Sequence, residues 1–334
     1  MNILPTAEQR EIADAIAAVI RHDYPLARLA AVDTEPVSDR ERWPAYGELG
    51  WFGLGLPEQL GGVGCGAAEE VMAFRELGRH LGPLGVFAGS VAARLTAETA
   101  DDALRARILT GEVIIGWAEE GLDATGDDLV LAGTDADLLL VHGPTGLGLV
   151  DTTGLELRDD TPDLDRQISV RYASLAATPR LAELSPGSAV EARATLFAAA
   201  MLAGIAEAVR DAAISYATVR EQFGVPIGSF QAVKHRCADM AVRAEAAWAT
   251  VSYAAVLLDE KDDSAAALAL AAKLTATDAA VRSAQESIQV HGGIGFTYEQ
   301  GAHLYVRRAH VLDHVLGGRR RHLADFLAIP TLLP

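Results

Sequence analysis

The sequence predicts a mainly α-helical protein with a small β domain held between two helical regions. Three observations carry this. Apolar residues recur at three-to-four spacing through the first third, short β-type runs between turn clusters fill the middle, and long Ala/Leu-rich amphipathic segments return from Ser188 to the end. The chain accordingly divides into an N-terminal helical domain over 1–111, a β domain over 112–186 and a helical bundle over 187–334.

Taken in order, Thr6 to Ile20 has helical periodicity, and Thr6 followed by Glu8 and Gln9 supplies a helix start. Beyond a polar link, Arg40 to Leu49 reads as a second helix. Gly53, Gly55, Pro57, Gly61, Gly62, Gly64 and Gly66 then force a turn-rich passage before helix resumes from Ala67 to about His80. Further helices cover Gly85 to Ala97 and Ala103 to Thr110. The β-type runs include Val113 to Ile115, Asp128 to Leu131, Leu138 to Val141, Leu147 to Val150 and Ile168 to Tyr172. Four long helices at about 189–222, 229–259, 263–290 and 299–315, with short links and a tail helix after Gly318, imply a bundle.

Composition narrows the function classes. Half of the 334 residues are hydrophobic, ample for a buried core. The net charge is -18 and the basic residues are scattered, which argues against nucleic acid or anionic membrane as a partner. Cys65 and Cys237, the only cysteines, fit reduced packing thiols better than a disulfide framework or a thiolate metal site. The longest apolar run, Ala194 to Ala206, falls short of the roughly 20 residues that span a bilayer, so a soluble, cytoplasmic protein is expected. His310 and His314 stand at i, i+4 without an obvious third ligand, and no metal is expected.

Three stretches carry a family resemblance. The first is Gly50-Trp51-Phe52-Gly53-Leu54-Gly55-Leu56-Pro57-Glu58, followed by Gly61-Gly62-Val63-Gly64 and Glu76-Leu77-Gly78-Arg79. The second is Arg220-Glu221-Gln222-Phe223-Gly224 with Ser229-Phe230-Gln231, and the third Gln289-Val290-His291-Gly292-Gly293-Ile294-Gly295-Phe296. In this order and spacing they resemble the acyl-CoA dehydrogenase family. The resemblance implies that family's fold, with a reduced central β domain and a C-terminal four-helix bundle. It also implies FAD as cofactor and an acyl-CoA thioester as substrate.

The residue types suit that cofactor. Binding a pyrophosphate calls for a fixed cation such as Arg220, amides such as Gln222, Gln231 and Gln289, and backbone that comes close, as Gly292 and Gly293 allow. Phe223 adds an apolar face. Taken singly, each residue also fits an ordinary role: a surface charge, solvated amides, a helix stop at Gly292-Gly293. No Gly-x-Gly-x-x-Gly follows a strand, which argues against a Rossmann site.

What departs from the family is as informative. Its reaction resembles α-proton abstraction by a carboxylate with hydride transfer to the flavin. The commoner position for that base is a Glu before a Gly after the last long bundle helix; aligning Arg307-Arg308-Ala309 puts Leu316 there, before Gly317. The second known position, 26 residues before Arg220, is Ala194. Where members carry an acidic-Pro-Gly-x-Gly-Ser-Asp stretch against the flavin ring, this chain has Trp117-Ala118-Glu119-Glu120-Gly121. Glu191, three residues before Ala194, and Asp313, just before the Leu316 loop, are the candidates for a displaced base.

The Arg-x-x-Phe-Gly and Gln-x-x-Gly-Gly motifs resemble contributions that family dimers make across the interface to a neighbour's flavin. The expectation is therefore a subunit active only in complex with a homologous full-length partner that carries the catalytic Glu. Such two-gene α2β2 enzymes resemble those of bacterial steroid side-chain catabolism, with electron-transfer flavoprotein or another acceptor taking the electrons. Two alternatives stay open: a non-enzymatic pseudoenzyme that completes the oligomer, and a stand-alone flavoenzyme with a relocated base.

Overall fold

The computed structural model describes residues 5–30, 40–121, 126–131, 135–158, 164, 167–298 and 300–329. The first helix, α1 (Ala7–Asp23), starts where Thr6 and Gln9 form a capping box. The Thr6 hydroxyl accepts the Gln9 N–H at 3.2 Å and the Gln9 amide oxygen accepts the Thr6 N–H at 2.9 Å. A short α2 (Leu26–Ala30) follows. The helix expected over 40–49 is only α3 (Trp43–Glu48), with Pro44 tolerated in its first turn. Its aromatic residues lock the corner: Tyr46 stacks on Trp51 at 4.7 Å and Trp43 meets Phe52 at 5.3 Å. Then come α4 (Ala67–Arg79), α5 (Leu84–Glu98) and α6 (Asp102–Leu109), close to the expected spans.

The middle of the chain forms one six-stranded sheet: β1 (Ile115–Glu119), β2 (Asp128–Leu131), β3 (Leu138–Gly143), β4 (Gly146–Asp151), β5 (Arg171–Ala173) and β6 (Ala182–Leu184), in the order β5-β2-β1-β3-β4-β6. Only β1 and β3 run parallel. All their residues are buried, which explains the continuous apolar runs there. Their register sets Trp117 opposite Leu140 and Glu119 opposite His142. The strand expected at Ile168–Tyr172 forms only from Arg171, and β6 has three residues, too few to show an alternating pattern.

Three long helices, α7 (Ala189–Val219), α8 (Gln231–Asp259) and α9 (Ala265–His291), pack together with α10 (Ala302–His314), and α11 (Arg319–Ala328) lies on α9. The helix expected to reach 222 stops at Val219. Arg220 turns extended and opens a hairpin, β7 (Glu221–Gln222) and β8 (Val225–Pro226), whose loop residues Phe223 and Gly224 both have positive φ. Glu299, where the last long helix was expected to open, lies outside the described residues, and α10 begins at Ala302.

By length and composition α7 is apolar enough to cross a membrane, but 78% of its most apolar window is buried inside the fold, so it is the core helix here. It meets α4 at unusually short range. A Cβ on Gly78 would stand 1.9 Å from the Met201 carbonyl oxygen, and one on Gly204 would stand 2.0 Å from that of Arg75. Each helix therefore needs a glycine where the other's backbone passes.

Candidate functional site

The second and third motifs meet at one end of the bundle. Beneath them Val209, Ala213, Ala217, Met240, Ala284 and Val290 form a small buried cluster. Tyr216 on α7 stacks on His291 of α9 at 4.5 Å, and the Ile227 N–H returns to the Arg220 carbonyl at 2.7 Å. This platform joins the hairpin, the start of α8 and the end of α9. Arg220, Gln222, Phe223, Gln231, Gln289 and Gly293 are all exposed on it, and Gly292 is half-buried.

Three features of this surface are unusual for a region serving only the fold. Phe223 is 94% exposed and sits at φ +55°, a strained conformation for a bulky residue. The side chains of Arg220, Gln231 and Gln289 find no partner among the described residues; Gln222 donates to the adjacent Glu221 carbonyl at 2.8 Å. A Cβ on Gly293 would meet nothing, so the fold's own packing does not demand a bare backbone there, whereas Gly292, at φ +63° and ψ -139°, has a backbone that glycine alone adopts readily. An Arg with nearby amides and approachable backbone fits a pyrophosphate held from outside the chain.

The positions read as ring cradle and base lie elsewhere, and they close on one another. Glu119, 2% exposed, receives the Trp117 indole N–H at 2.9 Å, faces His142 Nδ1 at 2.7 Å, and accepts the backbone N–H of Leu316. Leu316 is itself buried, at φ +66°. Lys273, fully buried on α9, fixes this loop from behind by donating to the Leu312 and Val315 carbonyls, the latter at 3.0 Å. The ring strand and the base loop are thus hydrogen-bonded to each other, with Trp117 and His142 filling the space beside them.

The electrostatics match this closure. Burial opposes a charge on His142, yet hydrogen bonding to Glu119, with Glu191 on the other side, outweighs it and pushes its pKa up to about 9. Burial also pushes Lys273 down to about 8, against the pull of Asp313 and Glu119. His142 is therefore a buried cation between two carboxylates at neutral pH.

The displaced-base candidates are both occupied. Glu191 sits in the first turn of α7, which Ser188 caps; its carboxylate accepts the Gly187 N–H at 2.8 Å and faces His142 Nε2 at 3.4 Å. Burial would raise its pKa, but His142 and the Gly187 amide hold it below the usual range. Asp313 accepts the Arg319 N–H at 3.1 Å, at the start of α11. Ala194 is fully buried within α7. His310 and His314 are exposed, and no group of three His, Cys, Asp or Glu suited to a metal occurs among the described residues.

Sequence reasoning missed the Glu119–His142–Glu191 arrangement and a second buried ion network. There Glu70 pairs with Arg94 and with Arg193 Nε, the latter at 2.7 Å, while Asp259 accepts the Ala67 N–H at 2.7 Å. A Cβ on Gly55 would collide with Glu70 and Arg94 at 2.3 Å, so that signature glycine makes room for an ion pair. The signal available was a Glu or His inside an otherwise apolar run, which calls for a buried partner.

Comparison with known proteins agrees with this architecture. Residues 6–112 match the acyl-CoA dehydrogenase N-terminal domain and residues 191–325 the acyl-CoA dehydrogenase C-terminal domain. The chain belongs to the acyl-CoA dehydrogenase family, FAD-dependent oxidoreductases. It is 32% identical over 324 residues to the acyl-CoA dehydrogenase IpdE2 of Mycobacterium tuberculosis, covering 96% of each chain. It is 37% identical over 293 residues to FadE34 of the same organism, covering 84% of this chain but only 41% of that relative. A Tcur3481-Tcur3483 steroid ACAD variant superposes with a TM-score of 0.78 at 29% identity, covering 96% of this chain and 98% of that one. Butyryl-CoA dehydrogenase from Megasphaera elsdenii, at 20% identity and a TM-score of 0.76 over 97% of this chain and 98% of its own, shares the fold.

Proposed function

We propose that this chain is the flavin-supporting subunit of a heteromeric acyl-CoA dehydrogenase, with the catalytic Glu on a homologous full-length partner. The observation that carries the reading is the contrast between its two surfaces. The base loop and ring strand are bonded shut through Leu316 and Glu119, while Arg220, Gln231, Gln289 and Gly293 stand open at the end of the bundle. FAD supplies the two-electron acceptor for α,β-dehydrogenation. This chain's part is to hold the dinucleotide from outside: Arg220 against the pyrophosphate, Gln222, Gln231 and Gln289 as amide partners, Gly292 and Gly293 admitting close approach, and Phe223 as an apolar wall.

Further support comes from exposed apolar residues on the same face: Val219 at 73%, Phe223 at 94% and Phe296 at 76% exposure are typical of a surface another chain covers. The likeness to a steroid ACAD favours a steroid-derived acyl thioester, processed in the cytoplasm with electrons passing to electron-transfer flavoprotein or another acceptor.

The test is to purify the chain alone and with a homologue bearing the missing Glu, then measure flavin per subunit and its bleaching by an acyl-CoA. Flavin and bleaching are expected only in the complex. Full flavin occupancy and bleaching by the isolated chain would overturn this reading in favour of a relocated base at Glu191 or Asp313. A flavin-free, inert complex would leave only a structural role.

A further inference from the structure

Two adjoining depressions run along the seam between α1 and α4, away from the Arg220 and Gln289 motifs. One is an apolar cleft of about 200 Å³ walled by Val71 and Met72 of α4 and Trp248, Ser252, Ala255 and Val256 of α8. The other is a polar hollow of about 450 Å³ lined by Arg10 and Arg21 of α1, Arg75 and Arg79 of α4, and Arg210 of α7. Met72 lines both, and at the junction the Arg75 guanidinium lies 4.7 Å from the Trp248 ring centroid. On α1 the walls run from Thr6 to Arg21, about 22 Å at the helical rise.

The two ends differ in chemistry. In the apolar end the Ser252 hydroxyl, on a residue 8% exposed, has no hydrogen-bond partner, although a buried hydroxyl ordinarily has one. In the polar end five arginines and His80 face three carboxylates, Asp14, Glu76 and Asp211. Arg75 and Arg79 are held by Glu207, which is buried behind them, and Arg210 by Asp211. Arg10 donates only to the Pro5 carbonyl, and Arg21 pairs with no carboxylate among the described residues. In a chain of net charge -18, the local balance therefore favours an anion.

We propose that this groove binds a single-headed anionic amphiphile. A short alkyl chain or one ring lies against Val71, Met72, Trp248 and Val256, and a carboxylate faces Arg10, whose guanidinium bonds to Pro5 at the edge of the cleft, with Arg75 at the junction. The cleft is large enough, since cavities of about 150 Å³ take up benzene. The Ser252 hydroxyl offers a hydrogen bond to a polar atom on the tail, which sets a ring-hydroxylated or keto-bearing acid above a plain alkane acid.

The experiment is titration calorimetry on the full chain with three probes of the same tail: octanoate, octanol and octyltrimethylammonium. Octanoate is expected to bind tightest. Charge reversal at the exposed Arg10, Arg10→Glu, is expected to weaken octanoate by about tenfold or more and leave octanol unchanged. Val256→Trp, filling the cleft, is expected to weaken both. Unchanged melting curves show that the variants remain folded. Equal binding of the anionic and cationic probes, octanoate binding that survives the charge reversal, or no octanoate binding at all would each overturn the proposal.

Discussion

Replacing Glu119 tests the closure of the ring strand on the base loop most directly. Its carboxylate accepts from the Trp117 indole and the Leu316 backbone and pairs with His142, all away from water. Glu119→Ala leaves His142 buried with Glu191 alone, 3.4 Å away. Removing one partner of a buried pair costs about 3–5 kcal/mol, so a loss of about 4 kcal/mol is expected. With an unfolding entropy of about 2.1 cal/mol/K per residue over this chain, that corresponds to a melting temperature lower by about 6 °C. The assay is a thermal melt followed by circular dichroism at neutral pH. A shift within about 1 °C would refute the reasoning.

The same group sets a pH signature. The pKa of His142 rises on folding from 6.5 to about 9, so its contribution is complete below pH 6.5 and is lost as pH climbs through 9. The full contribution is about 3 kcal/mol, and more than half is gone by about pH 8. Lys273 acts in the opposite sense. Its pKa falls from 10.5 to about 8, so its cost is relieved between those values, and the clean window for His142 is pH 6.5 to 8. His322, pushed down by burial to about 3, adds stability as pH rises from there toward 6.5. Stability should peak near pH 6.5, and His142→Gln should flatten the decline above it.

Three further substitutions separate the parts. Arg220→Ala should change stability by no more than about 0.5 kcal/mol, being exposed and without a side-chain partner among the described residues, yet strip flavin from the complex, as read by absorbance per heterodimer. Leu316→Glu restores a carboxylate to the family's commoner base position, but next to Glu119 in a dry site. It should cost about 3 kcal/mol or more by thermal melt and leave the isolated chain unable to bleach flavin with an acyl-CoA. Gly204→Ala puts a methyl 2.0 Å from the Arg75 carbonyl oxygen and should destabilise by at least about 2 kcal/mol, measured by urea unfolding, without affecting the exposed motif surface.

Much of this protein was legible before folding was considered. The helical periods of α1, α4, α5 and the bundle follow from apolar spacing, because a helix that packs on one side must repeat every three to four residues. The paired motifs at Arg220 and Gln289 were legible because glycine, arginine and amides in fixed order carry a chemical meaning that needs no partner in the chain. The expectation of empty base positions at Leu316 and Ala194 came from comparison with the family's pattern. Short strands and hairpins were less so: β6 has three residues and β7 two, too few for any period to register.

Tertiary structure decided the rest, because a lone Glu or His in an apolar run calls for a partner but leaves no local mark of which distant residue it meets. Nothing near Glu119 announces that it accepts the Leu316 N–H, 197 residues away, and nothing near His142 says that it lies between carboxylates from a strand and a helix. The sequence by itself determined that Leu316 and Ala194, neither of them a carboxylate, stand where the resemblance expects the base, and that the Arg220 and Gln289 motifs are present. Only the fold decided that Leu316 is closed in by a buried ion cluster while those motifs stay open. The physical reason is that a buried charge must find its partner wherever packing brings one, whereas an exposed motif needs only its own residues in order.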